Sequence, residues 1–283
     1  MTVLEAIRLT TEFFEKKGIE SPRPNAEILL AHILKCKRLD LYLAFDKPLQ
    51  EEEVLKYREY LKRRSQNEPL QYILGEVEFY GMPFKVNPSV LIPRQETEIL
   101  IEVMINALDK NKPMSFLDIG TGTGNIPITL APHFPASSFI SIDVSESALK
   151  LAKENAELNR LEGKIEFVKG DILDKTFSPG KIFEVIVSNP PYVSLEEYKT
   201  LQPEITKYEP MEAVTDNSDG YTFYKTISSR AMEMLSTGGK LFFEVGQGQS
   251  DAVAMHMKNC GFTNITVKKD YLNIERVVYG EKL

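Results

Sequence analysis

The stretch Phe116-Leu117-Asp118-Ile119-Gly120-Thr121-Gly122-Thr123-Gly124-Asn125 reads as a buried strand, a glycine-rich turn and the start of a helix. Glycines permit positive φ and let a ligand approach the backbone closely, and the helix that follows offers unpaired N–H groups at its start. In a dinucleotide site such N–H groups face a pyrophosphate and the glycines are spaced GxGxxG. Here the third glycine comes one position early, giving GxGxG, and an acid, Asp118, precedes the turn. A carboxylate pointing into the site would repel a pyrophosphate and attract a cationic amino group. The turn residues Gly120, Thr121, Gly122, Thr123 and Gly124 are therefore expected to hold a ligand with an amino-acid tail and no phosphate.

Two further acids extend this reading along the chain. Asp143 ends the next strand candidate, 19 positions after Gly124. As a two-oxygen acceptor it suits both hydroxyls of a ribose. Asp171 follows the third strand candidate in Gly170-Asp171-Ile172. There it could accept from an adenine amino group while Ile172 packs on the ring, and capping of the next turn is an open alternative for Asp171. The glycine loop and these acids together resemble the S-adenosylmethionine site of class I methyltransferases.

Around the glycine loop, helical and extended pieces alternate from Glu96 onward. Strands are predicted at 115–119, 138–143, 165–169, 183–187, 240–245, 265–269 and 275–279. Ser145 is expected to cap a helix over 145–158, with Leu149, Ala152 and Ala156 on its apolar face. Alternating βα units imply a mostly parallel sheet covered on both faces, a Rossmann-like α/β fold. Only Asp270–Asn273 separates the last two strands, so they are expected to form an antiparallel hairpin at the sheet edge.

Residues 1–74 read differently. Val3, Leu4, Ile7, Thr11 and Phe14 recur at helical spacing, Ser21-Pro22 is a helix start, and apolar positions from Ala26 to Leu34 and from Leu55 to Leu61 mark further helices. Gly75, Gly81, Pro83, Asn87, Pro88 and Pro93 then punctuate short apolar pieces, the pattern of a β-hairpin connector. The expected organisation is a small all-α domain over 1–74, a β-hairpin linker over 75–93, and an α/β domain over 94–283. Asn87-Pro88-Ser89 in the linker reads as a turn.

The composition sets limits. The chain has 283 residues, 42% hydrophobic and 27% charged, an ordinary globular balance. Its 34 basic and 41 acidic residues give a net charge of −7, which argues against a protein that wraps duplex nucleic acid mainly through phosphates. The helical stretch 1–74 is nearly neutral, with 13 basic and 12 acidic residues. The two cysteines, Cys36 and Cys260, and the three histidines are scattered, so neither a disulfide framework nor a metal site is expected. The N-terminus lacks the apolar run of a signal peptide, and no stretch is long and apolar enough to span a membrane. A cytoplasmic location is expected.

The predicted fourth parallel strand runs into Asn189-Pro190-Pro191-Tyr192, at the carboxyl edge where open α/β sheets bind ligands. Consecutive prolines stiffen the loop and carry no N–H. The Pro190 carbonyl and the Asn189 amide oxygen can then act as two acceptors, and Tyr192 offers a flat ring. Two acceptors and a flat wall suit a planar –NH2 group, whose lone pair is delocalised and poorly nucleophilic. Gripping both hydrogens localises that lone pair and stabilises the positive charge that develops on nitrogen. In-line positioning supplies the rest.

Loops of this type serve adenine, cytosine, guanine and glutamine amino groups, and the loop chemistry alone leaves the choice open. Pro69-Leu70-Gln71-Tyr72-Ile73-Leu74-Gly75, then Val90-Leu91-Ile92-Pro93-Arg94-Gln95-Glu96-Thr97-Glu98, the glycine loop, and Asn189-Pro190-Pro191-Tyr192-Val193 stand in that order. Over essentially its whole length the chain resembles the HemK or PrmC family of protein-(glutamine-N5) methyltransferases that modify class 1 peptide chain release factors. Gln95 departs from it, since the family usually has Pro there. The resemblance implies S-adenosylmethionine as methyl donor, S-adenosylhomocysteine as product, and the glutamine of the release factor's Gly-Gly-Gln motif as acceptor. It implies that the helical domain docks the release factor and that no stable nucleic-acid or membrane partner is needed. Within it, Asn189, Pro190 and Tyr192 would be catalytic, with Pro191 beside them on the substrate. Asp118, the loop 120–124, Asp143, Asp171, Ile172 and Asn189 would hold the cofactor. Arg94, Glu96 and Thr97 are candidates for the substrate mouth. The competing readings are a ribosomal-protein glutamine methyltransferase, a nucleic-acid amino-methyltransferase, a non-catalytic binding module and, on the wrong glycine spacing, an NAD-dependent dehydrogenase.

Overall fold

The computed structural model describes all 283 residues. They form two compact units. The first comprises Met1–Gly75 together with Gln202–Tyr208, and the second comprises Glu76–Leu201 and Glu209–Leu283.

The first unit is helical: α1 (Val3–Lys16), α2 (Pro22–Leu34), a 3-10 turn over Arg38–Leu43, α3 (Glu51–Arg64) and α4 (Leu70–Leu74). Thr2 and Glu5 form a capping box at the start of α1, satisfying two N–H groups that the helix leaves unpaired. Pro22 opens α2, where its missing N–H costs nothing. Val3, Ile7 and Phe14 of α1 meet Leu29 and Leu30 of α2 and Tyr57 and Tyr60 of α3 in one buried core. Two acid–base clusters are set into this unit. Glu27, its side chain fully buried, accepts from Arg23 at 2.8 Å, Arg38 at 2.6 Å and Tyr42 at 3.0 Å. Arg64, 3% exposed, donates to Asn25 Oδ1 at 2.7 Å, to the Glu68 carbonyl at 3.1 Å and to Glu204 Oε1 at 2.5 Å.

The second unit begins with the hairpin β1 (Glu76–Phe79) and β2 (Met82–Lys85). The glycine and proline punctuation of residues 75–93 predicts a linker hairpin here. Instead, Phe79 and Phe84 pack edge to face at 5.9 Å inside the core of the second unit, because two large apolar rings on one face of a short ribbon need a core to cover them. Gln202–Tyr208 falls within the expected α/β domain by sequence, yet it packs with the helical unit, where Glu204 meets Arg64 and the Tyr208 hydroxyl donates to the Gln66 carbonyl at 3.0 Å.

The remaining elements run α5 (Glu96–Ala107), β3 (Ser115–Ile119), α6 (Asn125–Leu130), β4 (Ser138–Asp143), α7 (Glu146–Leu158), β5 (Ile165–Lys169), β6 (Phe183–Ser188), the short helices α8 (Leu195–Tyr198), α9 (Pro203–Tyr208) and α10 (Met211–Val214), then α11 (Thr222–Met234), β7 (Leu235–Glu244), α12 (Ser250–Cys260), β8 (Phe262–Lys269) and β9 (Glu275–Lys282). Their seven-stranded sheet has the order β5-β4-β3-β6-β7-β9-β8. Strands β3 to β7 pair in parallel, and β9 pairs antiparallel with both β7 and β8. This is the expected Rossmann-like sheet with its antiparallel hairpin at one end.

The two faces follow from the period of two along each strand. Phe116, Phe139, Val187 and Phe242 enter one buried core under α5 and α6, and their neighbours Leu117, Ile140, Ile186 and Phe243 enter the other under α11 and α12. Strand order reverses direction at β3, since β4 lies on one side of it and β6 on the other. At such a switch point the connections leave in opposite directions and open a crevice at the carboxyl ends of the strands.

Candidate functional site

A cavity of about 470 Å³ occupies that crevice, within the usual range for a small-molecule site. Its wall takes Ile119 and Gly120 from the end of β3, Ile142 and Asp143 from β4, Gly170 to Leu173 after β5, and Ser188 to Pro191 after β6. Ser89 to Leu91 and the segment from Pro210 to Asn217 close it.

The glycine loop is built as its sequence suggests. Gly120, Gly122 and Gly124 have φ of +78°, +53° and +77°, which side chains at these positions would strain. The N–H groups of Gly120 and Thr121 donate to the Ile142 carbonyl at 2.9 and 3.0 Å. Asn155 of α7, fully buried, clamps the loop by donating to the Thr123 carbonyl at 2.9 Å while it also bonds Lys85 of the hairpin. Asp143 links loop and helix: Oδ2 accepts from the Gly122 N–H and Oδ1 from the Ser145 N–H, each at 2.9 Å. Each oxygen keeps a further acceptor direction. Burial raises the Asp143 carboxyl above the usual range against these backbone bonds. Asp171 Oδ1 accepts from the Leu173 N–H at 2.8 Å, so this residue shapes its own turn and also lines the cavity beside Ile172.

Not every expected residue reaches the wall. Gly120, Gly122, Asp143, Asp171, Ile172, Asn189, Pro190 and Pro191 line the cavity, whereas Asp118, Thr121, Thr123, Gly124 and Tyr192 do not. Asp118 sits inside the sheet, level with Ser141 on β4 and Val187 on β6, and shares its face with Phe116. It is 2% exposed, and neither carboxylate oxygen has a hydrogen-bond partner. Burial pushes this carboxyl up to about 7, with the nearby Thr121 and Ser141 hydroxyls only partly offsetting it. Thr121 and Thr123 are buried within the loop, and Gly124 closes against Ile128 and Ala152. The Tyr192 ring packs against the core under α11 and α12.

The acceptor loop is held from several sides. The Ser188 hydroxyl donates to the Ile119 carbonyl at 2.8 Å, tying β6 to β3. The Asn189 Nδ2 donates to Thr97 Oγ1 on α5 at 3.1 Å, which leaves Oδ1 as the uncommitted end of the amide. Gln249 Nε2 donates to the Tyr192 carbonyl at 2.9 Å while its Oε1 accepts from Gly246. Gly220 lies so close that a Cβ there would stand 2.4 Å from the Tyr192 carbonyl oxygen. Of the three proposed mouth residues, Thr97 reaches the site through Asn189. Arg94 instead bonds both oxygens of Glu209 at 2.7 Å, and Glu96 lies 3.9 Å from Arg276.

Four carboxylates line the cavity, Asp143, Asp171, Glu212 and Asp216, and no lysine, arginine or histidine does. Such a wall attracts cations and repels a pyrophosphate, which weighs against the dinucleotide reading. These acceptors fit S-adenosylmethionine, a cation whose ribose hydroxyls and adenine amino group donate.

Sequence alone assigns no site role to Ser89, which reads as part of a turn, to Val90 and Leu91, which open a motif of the resembled family, to Gln249 or to Glu244. Glu244 ends β7 and is 1% exposed, with the side chains of Thr97 on α5 and of Asn189 facing its carboxyl. An acid at the carboxyl end of an apolar strand was the signal that exposed Asp143, and the run Leu241-Phe242-Phe243-Glu244 carries the same one. No three histidine, cysteine, aspartate or glutamate side chains are placed to hold a metal, and no helix is long and apolar enough to cross a membrane.

Residues 5–75 match the profile described as PrmC N-terminal domain, and residues 93–207 match that described as Methyltransferase small domain. Among curated proteins, the chain is 40% identical over 283 residues to the release factor glutamine methyltransferase of Fusobacterium nucleatum subsp. nucleatum, covering 99% of this chain and 78% of that one. It is 39% identical to the protein of the same name from Koribacter versatilis, covering 100% and 99%, and 38% identical to that of Chlorobaculum tepidum, covering 97% and 95%. Solved structures share the fold at low identity. A methyltransferase from Pyrococcus furiosus aligns with TM-score 0.53 at 18% identity over 72% of this chain and 90% of that one. The hMettl16 catalytic domain aligns with TM-score 0.56 at 17% identity over 83% of both.

Proposed function

The chain belongs to the release factor glutamine methyltransferase family, and from that premise we propose that it methylates the side-chain amide nitrogen (N5) of the glutamine in the Gly-Gly-Gln motif of class 1 peptide chain release factors, with S-adenosylmethionine as methyl donor. The observation that carries this reading is one cavity wall shared by the glycine loop with Asp143 and by Asn189-Pro190-Pro191, with four carboxylates and no cationic side chain.

Asp143 would take the ribose hydroxyls through the acceptor capacity that Gly122 and Ser145 leave free. Asp171 and Ile172 would flank the adenine. Asp118 would act from beneath the loop, as a buried charge that favours a cationic amino group, rather than by lining the wall. When bound, the cofactor supplies an electrophilic methyl group on a sulfonium.

The chain's own residues would deal with the nucleophile. Thr97 holds the Asn189 amide by its nitrogen, so Oδ1 is available to accept from the substrate –NH2, with the Pro190 carbonyl as second acceptor. Both oxygens favour the nitrogen as it becomes positive. The N–C bond would form as the sulfur–methyl bond breaks, the nitrogen would release one proton to water, and the products would be N5-methylglutamine and S-adenosylhomocysteine. Tyr192, held by Gln249 and packed against the core, would stiffen the loop more than stack on the substrate. The helical unit would dock the body of the release factor.

Mass spectrometry of a purified release factor after incubation with enzyme and cofactor should find 14 Da (one methylene) added to the Gly-Gly-Gln glutamine. Methylation of ribosomal protein or of RNA, with none on the release factor, would move the assignment to those acceptors.

A further inference from the structure

Glu244 is a buried acid beside the acceptor loop for which the reaction itself has no use. The register between β6 and β7 pairs Val187 with Phe242 and Ser188 with Phe243, so Asn189 and Glu244 are the next residues along and stand on the face that α5 covers. Glu244 Oε2 is enclosed and makes no hydrogen bond. The Thr97 hydroxyl and the Asn189 amide nevertheless face this carboxyl and favour its ionised form. An amide beside a carboxylate turns its –NH2 toward the charge and its oxygen away, because a carboxylate only accepts.

We infer that Glu244 is a positioning residue: ionised, and together with Thr97, it holds the Asn189 amide nitrogen on the α5 and β7 side and so presents Oδ1 to the substrate. A protonated Glu244 offers an O–H donor to the same amide. The Asn189 oxygen then has a reason to turn inward, and the cavity loses an acceptor.

The surroundings place this change near neutrality. Burial pushes the Glu244 carboxyl up to about 7; Glu96 of α5 adds to the rise, while Thr97, Arg276 of β9 and Asn189 oppose it. Tyr192 and Tyr224 also face it, and both stay neutral because burial raises their hydroxyls, with Glu244 adding to the rise. The Tyr224 hydroxyl donates to the Glu244 backbone carbonyl at 2.9 Å, which fixes the strand end without engaging the side chain.

The effect on turnover rests on the function proposed above, but the orientation of the amide does not. The test is therefore a pH titration of the Asn189 side-chain –NH2 by 15N NMR of the full chain, with the resonance assigned by its loss in Asn189→Ala. The wild type should show these signals moving with a midpoint of about 7, and Glu244→Gln should flatten them, whereas Asp118→Asn should leave the midpoint in place. Turnover on release factor should show an acid limb in the wild type that Glu244→Gln lacks, with about tenfold lower kcat above the midpoint and an unchanged KM for S-adenosylmethionine. Flat Asn189 signals in the wild type, or a midpoint that disappears in Asp118→Asn, overturn the inference even if Glu244→Gln does not fold. So does a folded Glu244→Gln with wild-type turnover and acid limb. If the release factor is not a substrate, the NMR result still decides the role of Glu244 and only the functional assignment falls.

Discussion

Asn189 and Asp143 stand on the same wall but answer to different measurements. On the proposed mechanism Asn189→Ala would remove one acceptor from the developing positive nitrogen, and it should lower kcat by roughly 10²–10³, with cofactor affinity nearly unchanged by calorimetry. Asp143→Ala should instead weaken cofactor binding, because its oxygens also pin Gly122 and Ser145; an equal loss of kcat at saturating cofactor would contradict that division. Asp118 makes a claim about stability. Its carboxyl stands at about 7 in the fold against 3.8 for the unperturbed group. Between those values the folded protein keeps a proton that the unfolded chain has lost, so this group lowers stability as pH rises and the penalty is complete above about 7. Asp118→Asn should raise the melting temperature of the ligand-free protein at pH 8 and change it little at pH 4. A shift of equal size at both values would show that packing, and not charge, sets the cost.

Elements with a clear period were legible before their neighbours were known. Strands β3, β4 and β5 begin and end where alternation and turn residues predicted, and Ser145 caps α7 by accepting from the Ala148 N–H. Strand β7 was read from Lys240, yet it starts at Leu235. Gly238 and Gly239 hid its first half, since glycine carries no pattern of its own and the pairing there is irregular. Asn87-Pro88-Ser89 reads as a turn, and Asn87 does accept from the Ser89 N–H at 2.9 Å. That Ser89, with Val90 and Leu91 after it, lines the cavity depends on contacts far along the chain, which local sequence does not encode. The same holds for Gly220, which reads as an ordinary turn glycine but stands against the Tyr192 carbonyl. Gly220→Ala adds strain at a φ of +82° and a Cβ 2.4 Å from that oxygen. It should cost about 1–2 kcal/mol in stability by urea unfolding and lower kcat by displacing the acceptor loop, while cofactor affinity holds.

At the scale of the molecule, composition and the change from helical spacing to βα alternation indicated two kinds of structure, but not where the chain divides. Gln202–Tyr208 lies within the α/β sequence and packs with the helical unit, through Glu204 on Arg64, Tyr208 on Gln66 and Gln202 on Glu20. A short, charged segment gives no sign of such a destination. Arg64→Ala should destabilise the protein by about 3 kcal/mol, because it strands Glu204 and the Asn25 oxygen in a partly closed setting. Denaturant unfolding measures this, and a loss below about 0.5 kcal/mol would mark the contact as a surface pair. The polypeptide therefore passes from one unit to the other three times, after residues 75, 201 and 208. A protease nick beside Gly75 would separate two bands on a denaturing gel, yet the fragments should elute together under native conditions, because the C-terminal fragment carries the seven residues Gln202–Tyr208 that pack among the helices of the N-terminal one.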